Sequence, residues 1–234
     1  MIAHTYIFIE YYNFLYLISI TVGVITFYNF NFIYNNRILA AISLLTVLIT
    51  ILNSGLSAFS NILLFLSFVI TFCYHFSIKN FNLRRIPYLK LLIISSVWVI
   101  LTLIIPVLEK NELLERGDIF FLLERFIFLI SMALLFDLRD IDFDIQNKLK
   151  TIPNRIGVFY TKFLVLVLLT LWFLLCLIVY SGIIHTVVTS TFLIGTLSVL
   201  LVNRKWERTT YILIFDGLIL MHSTFMSIML SELF

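Results

Sequence analysis

Asp137, Asp140, Asp142 and Asp144 crowd into eight consecutive positions of a chain in which only 12% of residues are charged. If this stretch continues a helix at about 100° per residue, Asp137, Asp140 and Asp144 share one narrow arc and Asp142 points elsewhere. Three carboxylates on one helical stripe repel each other unless a cation sits among them. A hard divalent ion such as Mg2+ takes oxygen ligands of this kind and often keeps a phosphate as a further ligand. Asp137, Asp140 and Asp144 are therefore the candidate metal ligands and the candidate catalytic group.

The elements that must position them are membrane helices. The chain has 234 residues, 62% of them hydrophobic, where a soluble domain has roughly 45–50%. Crossing a bilayer takes roughly 20 apolar residues per helix. Eight runs satisfy this, at about 6–30, 38–58, 60–78, 88–108, 118–136, 158–181, 183–202 and 209–230. What remains is too short for a soluble domain, so residues 1–234 read as a single transmembrane domain of an all-α polytopic protein, with no nucleic-acid function. The first run lacks the basic flank and small-residue cleavage site of a signal peptide and reads as a retained span. Cys73 and Cys176 sit far apart in apolar runs without metal-ligand spacing, as small buried hydrophobes do.

Charge sets the orientation. The links after the odd-numbered spans carry 13 of the 16 basic residues, Lys90, Arg139, Lys148, Lys150 and Arg155 among them. The links after the even-numbered spans carry Lys110 and Arg116 beside Glu109, Glu112, Glu115 and Asp118. The positive-inside rule places the odd links, and the aspartates, in the cytoplasm, with both termini outside. The expected location is a multi-pass protein of a bacterial inner membrane.

Beyond the aspartates the chain reads Asp144-Ile-Gln-Asn-Lys-Leu-Lys-Thr-Ile-Pro-Asn-Arg-Ile-Gly157. Taken with Asp137 and Asp140, this resembles the second aspartate-rich motif of the UbiA superfamily of membrane prenyltransferases, D-x-x-D-x-x-x-D followed by G-x-K-T-x-P-x-R-x-G. Asp137, Asp140, Asp144, Lys150, Thr151, Pro153, Arg155 and Gly157 match it, and Lys148 stands where the family usually has glycine. The resemblance implies a helical bundle around a central cavity, with two aspartate-rich motifs that hold Mg2+ and the diphosphate of an isoprenoid donor. By that resemblance the three aspartates hold the metal, and Lys150 and Arg155 contact the diphosphate. The partners are an isoprenyl diphosphate, a lipid-soluble acceptor (often aromatic in the family) and membrane lipid.

The first motif is where this chain departs. At the end of the first span, Tyr28, Asn31 and Asn35 take the three aspartate positions. Asn31 and Asn35 keep carbonyl oxygens as candidate substrate contacts, but the lost charges weaken a Mg2+ site. Counting helices from the matched motif also leaves the family's first span without a counterpart. The expected function is prenyl transfer with weakened activity. The alternative is a non-catalytic family member that binds lipid or joins a complex. Asp216, inside the last span, is a further functional suspect. His222 reads as a packed or hydrogen-bonded histidine, while Glu124 and Arg125 are expected to pair locally or snorkel to the outer surface.

Overall fold

The computed structural model describes residues 16–18, 20–21, 45–46, 48–49, 51–53, 55–75, 86, 88–111, 116–203 and 206–231. Among them the ordered elements are helical, without strands. Helix α1 is Ala58–His75 and α2 is Leu89–Val99, which runs through a π segment, Ile100–Ile104, into α3, Ile105–Asn111. Helix α4, Arg116–Arg139, is followed at once by the short α5, Ile141–Gln146. Next come α6, Ile152–Val179, and α7, Ile184–Leu201. The one-turn α8, Arg208–Tyr211, passes through a second π segment, Ile212–Asp216, into α9, Gly217–Ser231.

Five stretches are long and apolar enough to cross a membrane: Leu89–Lys110, Asp118–Arg139, Ile152–Val179, Ile184–Leu201 and Thr209–Met226. They coincide with the fourth to eighth expected spans. The third corresponds to α1, whose apolar part, Ala58–Thr71, is shorter. The first two fall mostly outside the described residues. The apolar content is divided between two environments. Phe128, Leu135, Trp172, Val188 and Phe215, from α4, α6, α7 and the second π segment, form the dry centre. Phe159, Ile178 and Leu213 point outward and are at least 70% exposed, which a bilayer tolerates and water would not.

Pro106 does not end its helix. A proline has no N–H to donate, and its ring crowds the carbonyl one turn back. The π segment widens the turn there, and Ile105 donates to the Ile100 carbonyl five residues back. In that register residue 106 would donate to Leu101. Tyr16 does so instead, its hydroxyl lying 2.6 Å from the Leu101 oxygen. An early residue thus repairs the bond that proline removes. At the same end of the bundle, the Ser57 hydroxyl donates to Glu109 Oε1 at 2.7 Å and ties the start of α1 to α3.

Helix α6 has a break that sharpens the expected boundary. Thr151 is extended, Pro153 lies in the first turn, and Gly157 interrupts the helix with φ 82° and ψ 168°. Residues 152–156 form a short helical segment before the break, and the unbroken helix starts at Val158, where the sequence places it. These dihedrals belong to a region that essentially only glycine occupies. A Cβ there would meet no atom within 4 Å, so the requirement is backbone conformation alone. Gly157→Ala is expected to cost about 1–3 kcal/mol, read as a lower midpoint of unfolding in detergent micelles. An unchanged midpoint would show that the break is not required.

Candidate functional site

Asp137, Asp140 and Asp144 do converge, and the group at their centre is a lysine. Lys90, in the first turn of α2, is carried to the end of α4 because those helices pack side by side. Its Nζ lies 2.5 Å from Asp137 Oδ1, 3.9 Å from Asp140 Oδ2 and 3.9 Å from Asp144 Oδ2. The side chains of Asp137 and Asp144 are buried, whereas that of Asp140 is 32% exposed. Arg139 grips Asp140 with both arms, Nε to Oδ1 at 2.7 Å and Nη2 to Oδ2 at 2.9 Å. Its guanidinium also lies over the Phe136 ring, 5.1 Å from the centroid. Asp142 is exposed.

The shared face depends on a helix that nearly continues. Asp140 has φ −89° and ψ 6°, enough to divide α4 from α5. Even so, its N–H reaches the Phe136 carbonyl at 3.1 Å, and Asp144 N–H reaches the Asp140 carbonyl at 2.9 Å. The ladder survives the bend, and with it the angular spacing. Helix α5 then closes with paired reverse bonds. Leu149 N–H donates to the Asp144 carbonyl at 2.8 Å, and Lys148 N–H donates to the Ile145 carbonyl at 3.0 Å. This is the Schellman arrangement, which needs a left-handed residue after the cap. That residue is Lys148, with φ 54°. Lys148 stands at the family's usual glycine position, and the backbone explains the preference: glycine adopts this conformation without a Cβ penalty.

The basic residues of the motif line the same end of the bundle. Lys150 and Arg155 are both exposed. The Lys150 carbonyl accepts from Tyr88 N–H at 3.4 Å, and Arg155 Nη1 donates to the Tyr88 hydroxyl at 2.7 Å. Tyr88 is itself left-handed, with φ 63°, just before α2. The start of α2 therefore meets the aspartate loop twice, through Lys90 and through Tyr88. Asn31 and Asn35, with Tyr28, lie outside the described residues.

Three carboxylates are suitable donors for a hard divalent ion. As folded, however, the space between them is taken by the Lys90 ammonium. Among the described residues no group of three His, Cys, Asp or Glu side chains is disposed to hold a metal ion. The trio does not fit a metal ion of its own while Lys90 is in place.

A family model described as the UbiA prenyltransferase family matches residues 33–215, from before α1 to the second π segment. The chain belongs to the UbiA prenyltransferase family. No curated protein and no solved structure matches it. Family membership and the spanning helices make it a multi-pass integral membrane protein, all-α in its described parts. UbiA members generally use Mg2+ through aspartate motifs.

Lys90 and Tyr88 were missed as site residues because a basic residue in an odd-numbered link also serves topology. A signal was present: Lys90 stands just inside an otherwise apolar run, three residues after Pro87. Of the two expectations for Glu124 and Arg125, the local pair holds and the snorkelling does not. Neither snorkels, since they are 1% and 3% exposed. Glu124 Oε1 accepts from Trp172 Nε1 at 2.7 Å and faces Cys176 Sγ at 3.7 Å. Arg125 Nε lies 4.0 Å from Glu124 Oε2. His222 is packed as expected, between Phe128 and Trp172, with Nδ1 3.2 Å from Thr191 Oγ1. That hydroxyl also lies 2.8 Å from the Val187 carbonyl oxygen. Asp216 is half-buried at the end of the second π segment.

Lys90→Met leaves buried carboxylates without their central cation and is expected to destabilise the protein by about 3–5 kcal/mol, measured by denaturant unfolding in micelles. Lys148→Gly relieves the left-handed side chain and is expected to stabilise it by about 1 kcal/mol in the same measurement. A loss of stability in Lys148→Gly would contradict the account of the cap.

Proposed function

We propose that this chain is a prenyltransferase that moves an isoprenyl group from an isoprenyl diphosphate to a lipid-soluble acceptor. The observation that carries the reading is the gathering of Asp137, Asp140, Asp144, Lys150 and Arg155 at one end of a UbiA-family helix bundle. In this reading the whole chain is one transmembrane domain in a bacterial inner membrane, with that end facing the cytoplasm, where the basic links collect.

The chemistry asked of the residues is electrostatic. As the bond between prenyl C1 and its oxygen breaks, negative charge grows on the departing diphosphate and C1 becomes carbocation-like. The acceptor attacks C1 and gives up a proton, and diphosphate is released. Arg155 has five N–H donors, and the bond to Tyr88 uses one of them. The others, with the exposed Lys150 ammonium, suit phosphate oxygens. Cations fixed before the reaction stabilise the leaving group without reorganising. The spans around the dry centre keep water from the reactive carbon. Were Mg2+ to accompany the diphosphate, it would help neutralise the leaving group's charge beside Lys150 and Arg155. No step runs through a metal held by the aspartates alone.

The test uses purified protein, Mg2+ and labelled isoprenyl diphosphates of several lengths, with a membrane-lipid extract as the acceptor source. Saturable binding and label transfer are expected. Arg155→Ala is expected to weaken binding about tenfold. Binding without transfer would favour the non-catalytic alternative. Equal binding of the diphosphate by wild type and Arg155→Ala would remove Arg155 from the site.

A further inference from the structure

We infer that Lys90 is the resident cation of the aspartate cluster, standing where a divalent metal would otherwise be held, so that the cluster is built to form without metal. The inference rests on the cluster's geometry alone and is independent of prenyl transfer. Three carboxylates from α4, the bend and α5 turn toward one point, and the Lys90 ammonium occupies it at 2.5, 3.9 and 3.9 Å. Those oxygens are hard donors of the kind a divalent ion uses, and the ion already there is carried by the protein's own backbone. Arg139 adds a second fixed cation on Asp140. Lys90 and Arg139 thus offset two of the three negative charges.

A tethered ammonium differs from a metal in what it can do. It cannot leave, and it supplies three N–H donors in place of open coordination positions. It also fastens α2 to the aspartate loop whether or not any ligand is present, so Lys90 acts as a positioning residue. A divalent ion approaching the trio meets a positive charge about 4 Å away, which disfavours it by tenfold or more even with the strong screening of a protein surface. Removing that charge while leaving the carboxylates should turn the cluster into a metal site.

The experiment measures Mn2+ uptake by electron paramagnetic resonance, in micelles, with no diphosphate present. Wild type and Lys90→Arg are expected to take up no Mn2+ saturably. Lys90→Gln is expected to bind it at least about tenfold more tightly than wild type, and Lys90→Gln combined with Asp140→Asn to lose that binding. Folding of Lys90→Gln only when Mn2+ is supplied would support the inference equally. Wild-type uptake as tight as that of Lys90→Gln and abolished by Asp140→Asn would overturn it, as would a folded Lys90→Gln that takes up none. If Lys90→Gln does not fold with or without Mn2+, wild type decides: uptake removed by Asp140→Asn overturns the inference, and no uptake upholds it. Because diphosphate is omitted, none of these outcomes bears on prenyl transfer.

Discussion

One ammonium among three aspartates sets the terms for the surrounding backbone. Asp137 and Asp144 are buried, and buried carboxylates that lack a cation are costly to keep charged. Lys90 can serve them only if α2 begins at the right height, and the left-handed Tyr88 places its first turn there. The carboxylates can share one cation only if the helical spacing continues past Asp140, and the unbroken hydrogen bonds across the bend provide that. The Schellman cap then ends α5 at Gln146, two residues after Asp144, and Gly157 breaks the helix that follows. Among the described residues the two non-glycine positions with left-handed backbone, Tyr88 and Lys148, both lie at this site, with Gly157 beside them, whereas Gly55 and Gly182 turn elsewhere. Strained backbone of this kind persists where the surrounding contacts over-determine it.

The other polar centre of the bundle is organised differently. Glu124 lies thirteen residues before Asp137 on α4, about 20 Å along the axis, and is sealed among Trp172, Cys176 and Arg125. In a bilayer a charged pair needs internal partners, since neither lipid nor packed helices supply hydrogen bonds. Here the partners come from α6, so the pair joins two spans. One helix therefore carries an enclosed polar network toward one end and a lysine-centred cluster, with basic residues exposed beside it, at the other.

Much of this architecture was legible in the sequence because membrane spans and motif spacing are one-dimensional signals. The hydropathy runs located α4, α6, α7 and α9 closely, and the 0, +3, +7 spacing put three aspartates on one face. It also excluded Asp142, which is exposed. The pairing of Lys90 with those aspartates was not legible, because it depends on α2 lying beside α4, a contact that local sequence does not specify. The burial of Glu124 and Arg125 was misread for a related reason. Their position near a helix end suggested access to water, but the neighbouring α6 covers them. Lys148 shows the opposite case: its departure from the family's glycine was visible in sequence, and the meaning came only with its positive φ.

The central claim is that Lys90 and the aspartates stabilise one another directly. The most direct measurement is a double-mutant cycle on unfolding in micelles, with Lys90→Met, Asp137→Asn and both together. Direct pairing predicts a coupling energy of about 2 kcal/mol or more, with the double variant more stable than the sum of the single losses implies. Additive losses, with coupling below about 0.5 kcal/mol, would contradict it.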